Sequence, residues 1–477
     1  MSKLTGYAEK VKGKRVTFIG MGISNMKAVE FFSNLGVEMT ARDKNPDPTY
    51  TPYGEGGEVV RVEPILKGNG VKCIFGDNYL NDLSEDIIVK TPGIRPDLEE
   101  FKSAVEKGSV LTSEIEIVCE LCPCKIFAVT GSDGKTTTTT LISKILEKQC
   151  EETGGIVYLG GNIGTPLICE LENMKSGDMV VLELSSFQLM TMRFSPYSSV
   201  ITNITPNHLN WHIDMEEYVL SKENIVVNQS SDCYATLNAE DPNTHEIIKK
   251  TRAKVTFFSS RGEVDAESCV YYENGDILYK CGGCLEKVMS DSQIFLRGTH
   301  NIENVMAAYS ATKNVVSKEN FIRAVEEFRG VRHRIEFVCE KNGVKYYNSS
   351  IDTTPTRSMA ALKSFEEPLI VICGGSDKNI PYDPMIDLLC EKSRFIVTTG
   401  KTGVTIRNLL EKKGISQNQY TYVEDFDSAV KEAEKHALPG DVVLLSPASA
   451  SFDSFRNFEV RGNRFCELVR KNTTEGD

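Results

Sequence analysis

A glycine-rich run carries the residues of this chain best suited to bind phosphate. It reads Gly131-Ser132-Asp133-Gly134-Lys135-Thr136-Thr137, after a strand-like apolar segment and before a segment with a helical apolar face. Such a loop points backbone N–H groups and the positive end of a helix dipole at an anion. In the P-loop pattern Lys135 reaches the outer phosphates and the Thr136 hydroxyl ligates Mg²⁺. Val129 stands where that pattern has its first glycine. The run predicts nucleoside triphosphate binding; the alternative is a turn that merely contains Gly-Lys-Thr.

Two further polar side chains follow predicted strands. Glu183 ends an apolar strand over 179–184, a position where an acidic residue of P-loop folds can meet the Mg²⁺ beside the phosphates. His208 comes just after a strand over 199–204, on the same edge of the predicted sheet. A solvated strand-end glutamate and a structural histidine are the alternatives. We expect both side chains to be metal ligands.

A predicted helix over 215–228 places a lysine among apolar residues. Asp214 and Glu217 are typical of an N-cap with a capping box. The residues of the apolar face recur at helical spacing: Tyr218, Lys222, Ile225 and Val226. Lys222 either extends its ammonium to solvent or is buried with a lowered pKa. A neutral amine can add CO₂ and become a carbamate, which is a bidentate metal ligand. The residue types alone leave both interpretations open.

The fourteen cysteines include two clusters with metal-ligand spacing. These are Cys119, Cys122 and Cys124, and the Cys281-Gly282-Gly283-Cys284 run. Zinc would suit such spacing. We call the run 131–137 the phosphate loop. The first cluster, however, abuts the predicted strand before this loop, and the second lies in a polar, hairpin-like stretch. We therefore favour reduced, unligated thiols.

Strand and helix signals divide the chain into three α/β regions. Residues 1–112 alternate strands and helices around Gly20-Met21-Gly22, which predicts a Rossmann-like domain. Its glycine fingerprint is incomplete, because Asn25 stands in place of the third glycine. Residues 113–329 hold the phosphate loop and predict a P-loop ATPase-type domain. Residues 330–477 alternate strands and helices again, as in a second Rossmann-like sheet.

Length and charge narrow the class of protein. A chain of 477 residues suggests about three domains. The formal net charge of −13 argues against binding to nucleic acid or to anionic membranes. The start of the chain lacks an apolar signal segment, and no apolar run reaches the ~18 residues of a membrane span. We expect a cytoplasmic protein with no nucleic-acid or membrane partner.

Several stretches together resemble the Mur ligases of cell-wall synthesis over essentially the whole chain. The matching stretches are 130–137, 160–164, 183–189, His208, 298–301, His333-Arg334 and 446–453 with Phe458. The phosphate-loop motifs are shared with a wider superfamily that includes folylpolyglutamate synthase. The stretch 446–453 and the Gly20–Gly22 region favour the members that add D-glutamate.

The resemblance implies ATP and Mg²⁺ as cofactors and a monomer. It assigns catalysis to Lys135, His208 and Lys222, the last as a carbamate. The implied metal ligands are Thr136, Glu183, His208 and Lys222. ATP contacts are implied for Gly131, Ser132, Asp133, Gly134, Lys135, Thr136, Thr137, Asn301 and Arg334.

The resemblance also implies where two further substrates bind. The UDP moiety would contact Ser24, Asn25, Arg42, Thr91, Pro92 and Gly93, and the muramoyl group Asn162. D-Glutamate would contact Thr353, Lys378, Ser451 and Phe458. One run departs from many relatives, which carry Asp-Ser-Lys-Ala-Thr: Ser349 replaces an acidic residue and Ile351 a basic one. Asp352 or Lys378 could compensate.

The implied activity is an ATP-dependent amide ligase that adds D-glutamate to UDP-N-acetylmuramoyl-L-alanine (UDP-MurNAc-L-Ala) through an acyl phosphate. The nearest alternative is a ligase of the superfamily that adds another amino acid. A second is a nucleotide-binding regulatory ATPase without ligase activity. An NAD-dependent oxidoreductase built on Gly20–Gly22 is a third, and it leaves the phosphate loop unexplained.

Overall fold

The computed structural model describes residues 2–52, 59–209, 211–296, 298–377 and 380–471. The chain divides into two compact units. Unit 1 holds the described residues up to Phe295 together with Thr299–Phe328. Unit 2 holds Leu296, Gly298 and the described residues from Arg329 onward.

Unit 1 begins with a parallel sheet. The strands of this region are β1 (Arg15–Ile19), β2 (Glu38–Asp43), β3 (Thr49–Tyr50), β4 (Val60–Arg61), β5 (Lys72–Phe75), β6 (Ile87–Lys90) and β7 (Val110–Thr112). The helices are α1 (Lys3–Val11), α2 (Ile23–Ser33), α3 (Val62–Gly68), α4 (Glu99–Glu106) and α5 (Glu114–Leu121). The order β5-β2-β1-β6-β7, with every neighbouring pair parallel, is that of a Rossmann half. The ends of β1, β2 and β6 therefore meet at one edge of the sheet.

A second, larger sheet of unit 1 carries the phosphate loop. Its strands are β8 (Lys125–Thr130), β9 (Val157–Gly161), β10 (Met179–Glu183), β11 (Ser198–Ile201), β12 (Tyr234–Asn238), β13 (Lys254–Ser259), β14 (Ser268–Glu273), β15 (Asp276–Cys281) and β16 (Cys284–Ser290). The helices are α6 (Lys135–Thr153), α7 (Ser186–Leu189), α8 (Met215–Glu223), α9 (Pro242–Ile247), α10 (Thr299–Thr312) and α11 (Lys318–Glu327). The order is β16-β15-β14-β13-β12-β11-β8-β10-β9, so β8 lies between β11 and β10.

The apolar face that the sequence predicts after the phosphate loop is confirmed. Leu141, Ile142, Ile145 and Leu146 on α6 are fully buried. Strand β8 is buried from Ile126 to Thr130, because helices cover both faces of a parallel sheet. This packing holds the loop between β8 and α6 against a rigid core.

The predicted helix over 215–228 is too long. Helix α8 ends at Glu223, and the next residues form tighter turns in which Ile225 N–H donates to Lys222 O and Val226 N–H to Glu223 O. Asp214 is the N-cap, since its side chain accepts from Glu217 N–H at 2.8 Å. The capping box is wrong: the Glu217 carboxylate accepts from Ile213 N–H instead. The buried face is confirmed.

Unit 2 is a doubly wound sheet. The strands are β17 (Glu336–Lys341), β18 (Val344–Asn348), β19 (Leu369–Gly374), β20 (Ser393–Thr399), β21 (Tyr420–Val423) and β22 (Val442–Leu445). The helices are α12 (Pro355–Lys363), α13 (Asp383–Lys392), α14 (Gly400–Lys412), α15 (Phe426–His436) and α16 (Phe458–Lys471). The order is β17-β18-β22-β19-β20-β21, parallel except for the β17–β18 pair. Separate apolar clusters cover its two faces.

The α/β class is confirmed. The contact pattern separates the chain after Phe328 and leaves residues 1–112 in one unit with 113–328, so the boundary at 112 stays a prediction. Within the described ranges, no helix is long and apolar enough to cross a bilayer. The fourteen cysteines are all free thiols; Cys281 and Cys284 are exposed and face each other across the β15–β16 turn.

Candidate active site

The phosphate loop requires glycine at two positions. Gly131 has φ 150°, and a Cβ there would overlap the Thr202 hydroxyl. Gly134, the N-cap of α6, has φ 77°, and a Cβ would lie 2.5 Å from Asn304 Oδ1. A side chain at either position would meet both backbone strain and a steric overlap. The loop conformation thus depends on two of the residues that make its sequence recognisable.

The segment after β11 holds the loop in place. Asn203 accepts from Ser132 N–H through its carbonyl oxygen at 2.8 Å and from Asp133 N–H through Oδ1 at 2.9 Å. The Thr202 hydroxyl donates to Asp133 O at 2.6 Å. Lys135 folds back, and its Nζ donates to Gly131 O at 2.9 Å. The loop is therefore held in this conformation by hydrogen bonds within the protein.

Helix α6, which follows the loop, carries Thr136 and Thr137 in its first turn and contacts Asn304 through Thr138. Thr136 and Thr137 are half-buried. The Thr138 hydroxyl lies 3.1 Å from Asn304 Oδ1, and Asn304 Nδ2 donates to Asn301 Oδ1 at 3.1 Å. Asn301 is thus linked through Asn304 to the phosphate-loop helix.

Glu183 lies beside the loop strand as predicted. In the sheet register it is next to Val129 on β8 and Gly161 on β9. The side chain is buried, and its Oε1 accepts from Asn162 Nδ2 at 2.8 Å. Its Oε2 has no hydrogen-bond partner among the described residues. A buried carboxylate oxygen without a donor is costly, and a cation would relieve that cost.

Lys222 also reaches the loop. It is 1% exposed, and its Nζ donates to Gly131 O at 2.7 Å and lies 4.7 Å from the centre of the Tyr218 ring. Burial, with the nearby charge of Lys135, lowers the pKa of Lys222 well below its usual value. A larger share of the amine is therefore neutral near pH 7. The alternative of an ammonium extended to solvent is wrong.

His208 has an exposed position on the loop after β11. Its backbone is left-handed, with φ 57°, and its ring packs edge-on against Phe187 at 5.0 Å. Partial burial and the charges of Lys135 and Lys222 lower the pKa of His208. The neutral form of the imidazole is therefore favoured, and in that form one ring nitrogen can ligate a metal.

A second histidine of this loop escaped the sequence analysis. His212 is buried, with Nδ1 at 3.1 Å from Glu217 Oε2 and Nε2 at 2.9 Å from Ser186 Oγ. The Ser-His-Glu connectivity is that of a hydrolase triad. Ser186, however, is 2% exposed, so no substrate can reach its hydroxyl. The sequence feature that could have indicated His212 is its position four residues after His208.

The candidate substrate-binding residues of the first sheet lie at one edge. Two of them, Asn25 and Arg42, are hydrogen-bonded to groups within the protein. Gly20 approaches Thr91 closely, since a Cβ on Gly20 would lie 2.5 Å from Thr91 Oγ1. Thr91, Pro92 and Gly93 therefore form a turn beside the glycine loop, and Ser24 lies in the first turn of α2. We refer to 91–93 as the substrate turn.

Asn25 and Arg42 support this edge from inside. Asn25 is fully buried, and its Nδ2 lies within 3.2 Å of three carbonyl oxygens, those of Ile19, Gly20 and Val89. Arg42 forms a buried ion pair with Glu85 at 2.9 Å and donates through NH1 to two further carbonyl oxygens. All three guanidinium nitrogens of Arg42 are thus bound within the protein.

In unit 2 a buried arginine joins two candidate loops. Arg461 on α16 donates to Ser350 O and Ser449 O through NH2 and to Ala450 O through NH1, at 2.9–3.1 Å. Ser451, beside these carbonyls, is buried, and Phe458 O accepts from Ser350 Oγ at 2.8 Å. The two loops, 349–353 and 446–453, are therefore held together by one side chain. Helix α16 also carries Arg464 and Arg470, and the sequence does not distinguish Arg461 from them.

The departing run contains its own carboxylate. Asp352 is buried, accepts from Ser446 Oγ at 2.9 Å, and has its pKa raised to about 6 by burial. Ser349 is buried as well, and its Oγ accepts from Ile335 N–H. Thr353 and Arg334 lie in the same unit. Arg334 ends a turn in which its N–H donates to Val331 O. Lys378 lies outside the described residues.

Comparisons with known proteins find relatives that match nearly the whole chain. The family model described as Mur ligase middle domain matches residues 129–312, and the one described as Mur ligase, glutamate ligase domain matches 333–449. A protein of Ruminiclostridium cellulolyticum named UDP-N-acetylmuramoylalanine–D-glutamate ligase is 43% identical over 98% of this chain and 99% of its own. A Clostridium kluyveri protein of the same name is 44% identical over 97% and 98%.

Solved structures support the fold. The UDP-N-acetylmuramate–alanine ligase MurC of Thermotoga maritima superposes with a TM-score of 0.55 at 20% identity, covering 96% of this chain and all of that one. MurF of Acinetobacter baumannii gives a TM-score of 0.56 at 17% identity, covering 80% and 91%. Full-length identity above 40% to named relatives, with two matching family domains, decides the assignment: the chain belongs to the Mur ligase family.

Proposed function

We propose that the chain is an ATP-dependent ligase that joins D-glutamate to UDP-MurNAc-L-Ala. The observation that carries this proposal is the phosphate loop with Glu183 and Lys222 beside it. This site combines a phosphate cradle, an unsatisfied carboxylate oxygen and a buried amine. The choice of substrates rests on the name shared by the full-length relatives.

The reaction proceeds in two balanced steps. A carboxylate oxygen of UDP-MurNAc-L-Ala attacks the γ-phosphorus of ATP, the bond to the bridging oxygen breaks, and ADP leaves with that electron pair. The neutral amine of D-glutamate then attacks the acyl carbon. The tetrahedral intermediate expels inorganic phosphate, the amine loses a proton, and the amide remains. Both steps depend mainly on positioning and on neutralisation of charge.

The residues of the site have separate roles in these steps. The backbone at the N-terminal end of α6 orients the phosphates, and the Lys135 ammonium offsets charge that develops on the transferred group. The candidates to hold Mg²⁺ are the Thr136 hydroxyl, the Glu183 carboxylate, the neutral His208 ring and a carbamate on Lys222. When bound, Mg²⁺ supplies further charge neutralisation at the phosphate oxygens.

The side chains of the chain alone supply too few ligands for the proposed metal ion. Within the described ranges, no three His, Cys, Asp or Glu side chains are close enough to hold a metal ion. A carbamate on Lys222 and the oxygens of ATP would supply the missing ligands. The proposed Mg²⁺ is thus bound together with the nucleotide.

We assign D-glutamate to unit 2, near Thr353, Lys378, Ser451 and Phe458, following the family resemblance. The description of the matching family model as a glutamate ligase domain supports this assignment. We assign the UDP moiety to the substrate turn and Ser24, and the muramoyl group to Asn162. We further propose that the enzyme acts as a cytoplasmic monomer, where both nucleotides are available, without nucleic-acid or membrane partners.

A phosphate-release panel tests the function. The purified chain is given ATP, Mg²⁺ and UDP-MurNAc-L-Ala with each of D-glutamate, L-glutamate, D-aspartate and L-lysine, and the products are weighed by mass spectrometry. We expect phosphate release and a product only with D-glutamate. Release with a different amino acid would reassign the substrate. Tight ATP binding without ligation would favour the regulatory ATPase.

A further inference from the structure

The only tryptophan of the chain contacts the substrate turn. Trp211 lies on the loop between β11 and α8, and its Nε1 donates to Gly93 O at 3.1 Å. The guanidinium of Arg95, two residues after the turn, lies 5.0 Å from the centre of the Trp211 ring. Arg95 NH1 also donates to Trp211 O at 2.8 Å. The turn and this loop are therefore joined by two hydrogen bonds and a cation–π contact.

Arg95 extends the connection to helix α8. Its NH2 donates to Glu217 Oε1 at 2.8 Å and its NH1 to Oε2 at 3.2 Å, a bidentate pair. Asp97 binds the same guanidinium through Nε and NH2. Arg95 lowers the pKa of Glu217 to about 2, so the pair stays charged at any physiological pH. Glu217 lies on α8, the helix that carries Lys222.

The other side of Trp211 leads to His208. Trp211 packs on Phe187 with ring centres 4.4 Å apart, and Phe187 contacts His208 at 5.0 Å. One aromatic residue thus separates Trp211 from a candidate metal ligand. Phe187 is in turn part of α7, directly after the strand that ends at Glu183.

We propose that Trp211, Arg95 and Glu217 form a latch that positions the substrate turn relative to Lys222 and His208. This inference rests on the proposed function, since it takes the turn to hold the UDP moiety. The turn is a loop, and loops are more mobile than the elements that they connect, so contacts of this kind restrict its conformation. The latch fixes the Gly93 carbonyl and ties the turn to the helix and loop that carry the chemistry. Misplacement by about 1 Å can cost on the order of 10²-fold in rate.

The latch predicts a selective effect on one substrate. Arg95→Gln removes the bidentate pair and the cation–π contact while keeping a hydrogen-bonding side chain. We expect the KM for UDP-MurNAc-L-Ala to rise about tenfold, because a partly buried charged hydrogen bond is lost. The KM for ATP should stay within about twofold, since the contacts of the phosphate loop are untouched. Trp211→Phe keeps the ring packing, loses the donor to Gly93, and should raise the same KM by a smaller factor.

Binding of UDP alone gives a readout independent of ligation. Trp211 is the sole tryptophan, so its emission should change when UDP occupies the turn. Arg95→Gln should weaken UDP binding about tenfold by this signal and leave binding of a fluorescent ADP analogue unchanged. The matched control is Arg61→Gln, which breaks an exposed ion pair with Asp47 elsewhere in the same region. Thermal unfolding of each variant shows whether it is folded.

The outcomes separate the latch from the proposed function. Loss of UDP affinity with ADP affinity retained supports the latch even if the wild type ligates no amino acid, in which case the proposed function alone fails. Equal changes for both nucleotides, an unchanged UDP affinity in folded Arg95→Gln, or no response of Trp211 to UDP would each overturn the latch. An unstable Arg95→Gln is replaced by Trp211→Phe. This variant has no tryptophan, so its UDP affinity is measured by isothermal titration calorimetry and judged by the same affinity criteria.

Discussion

The Nζ of Lys222 lies 2.7 Å from the carbonyl oxygen of Gly131, so helix α8 is bonded directly to the phosphate loop. A buried amine needs such an acceptor in either role, so the contact alone does not decide between packing and carbamylation. A carbamate would keep the same stem and place two oxygens beside the loop.

Replacement of Lys222 separates these two roles. We expect Lys222→Ala to lower ligation by at least about 10²-fold, because a ligand of the proposed metal and a contact to the loop are both lost. Addition of a short-chain carboxylate should restore part of the activity, since it can occupy the space left by the side chain. Phosphate-release assays with and without acetate measure both effects. Full activity of the alanine variant would exclude the carbamate.

A methyl group at Gly131 should weaken nucleotide binding. Gly131→Ala would force a Cβ against Thr202 at a backbone angle that side chains rarely adopt. We expect the affinity for a fluorescent ATP analogue to fall by at least about tenfold. The control is Gly177→Ala, where φ is ordinary and no atom lies within 4 Å of the added Cβ. Comparable loss in both variants would show that the effect is not local to the loop.

Glu183 tests the metal assignment. Glu183→Gln keeps an oxygen for the Asn162 donor and removes the negative charge beside the unsatisfied oxygen. We expect the maximal rate to fall by about 10² or more, with a higher Mg²⁺ concentration needed for half activity. A titration of activity against Mg²⁺ measures this shift. Glu99→Gln, at an 87% exposed side chain, is the control. An unchanged Mg²⁺ requirement would remove Glu183 from the ligand set.

One buried carboxyl makes stability depend on pH. Burial raises the pKa of Glu114 from 4.5 to about 7. Because the folded-state pKa is raised, its stabilising effect is complete below about pH 4.5 and is lost as the pH rises through about 7. The loss is up to about 3 kcal/mol. Glu114→Gln retains an acceptor for Ile168 N–H and should unfold at a higher denaturant concentration than wild type at pH 8. The difference between the two proteins should shrink at pH 5; a constant difference would contradict this origin.

The thiols should divide into two reactivity classes. Cys281 and Cys284 are exposed, whereas the other twelve are buried or half-buried. We expect two thiols to react rapidly with a chromogenic disulfide reagent in the folded protein, and all fourteen after unfolding. A metal-sensitive dye added at the same time should detect no zinc. Release of zinc upon thiol modification would instead support the metal interpretation of one cluster.

Sequence patterns predict a structural element correctly where the local signals and the tertiary structure agree. The phosphate loop, β8 and the buried face of α8 follow from glycine spacing and apolar periodicity. The predicted end of α8 was wrong because the pattern of buried residues continues into tighter turns. Apolar periodicity cannot distinguish such turns from an α-helix.

The missed residues act across the chain rather than along it. Arg461, His212 and Trp211 each have at least one partner that is distant in sequence. This partner is the Ser350 carbonyl for Arg461, Ser186 for His212 and Gly93 for Trp211. Arg42 matched a substrate position by local pattern, but its ion pair with Glu85 appears only in the folded sheet. Such pairings leave no trace in a single sequence.

The strand order of the phosphate-loop sheet also constrains how the protein is made. Strand β8 is completed early, but its neighbours are β10 and β11, which leave the ribosome later. At about 5–20 residues per second, the growing chain holds β8 without either partner for several seconds. During that interval its apolar residues and unpaired backbone are available to chaperones or to other nascent chains. The nucleotide site cannot close until Thr202 and Asn203 have been synthesised, so ATP can stabilise this protein only after that point in translation.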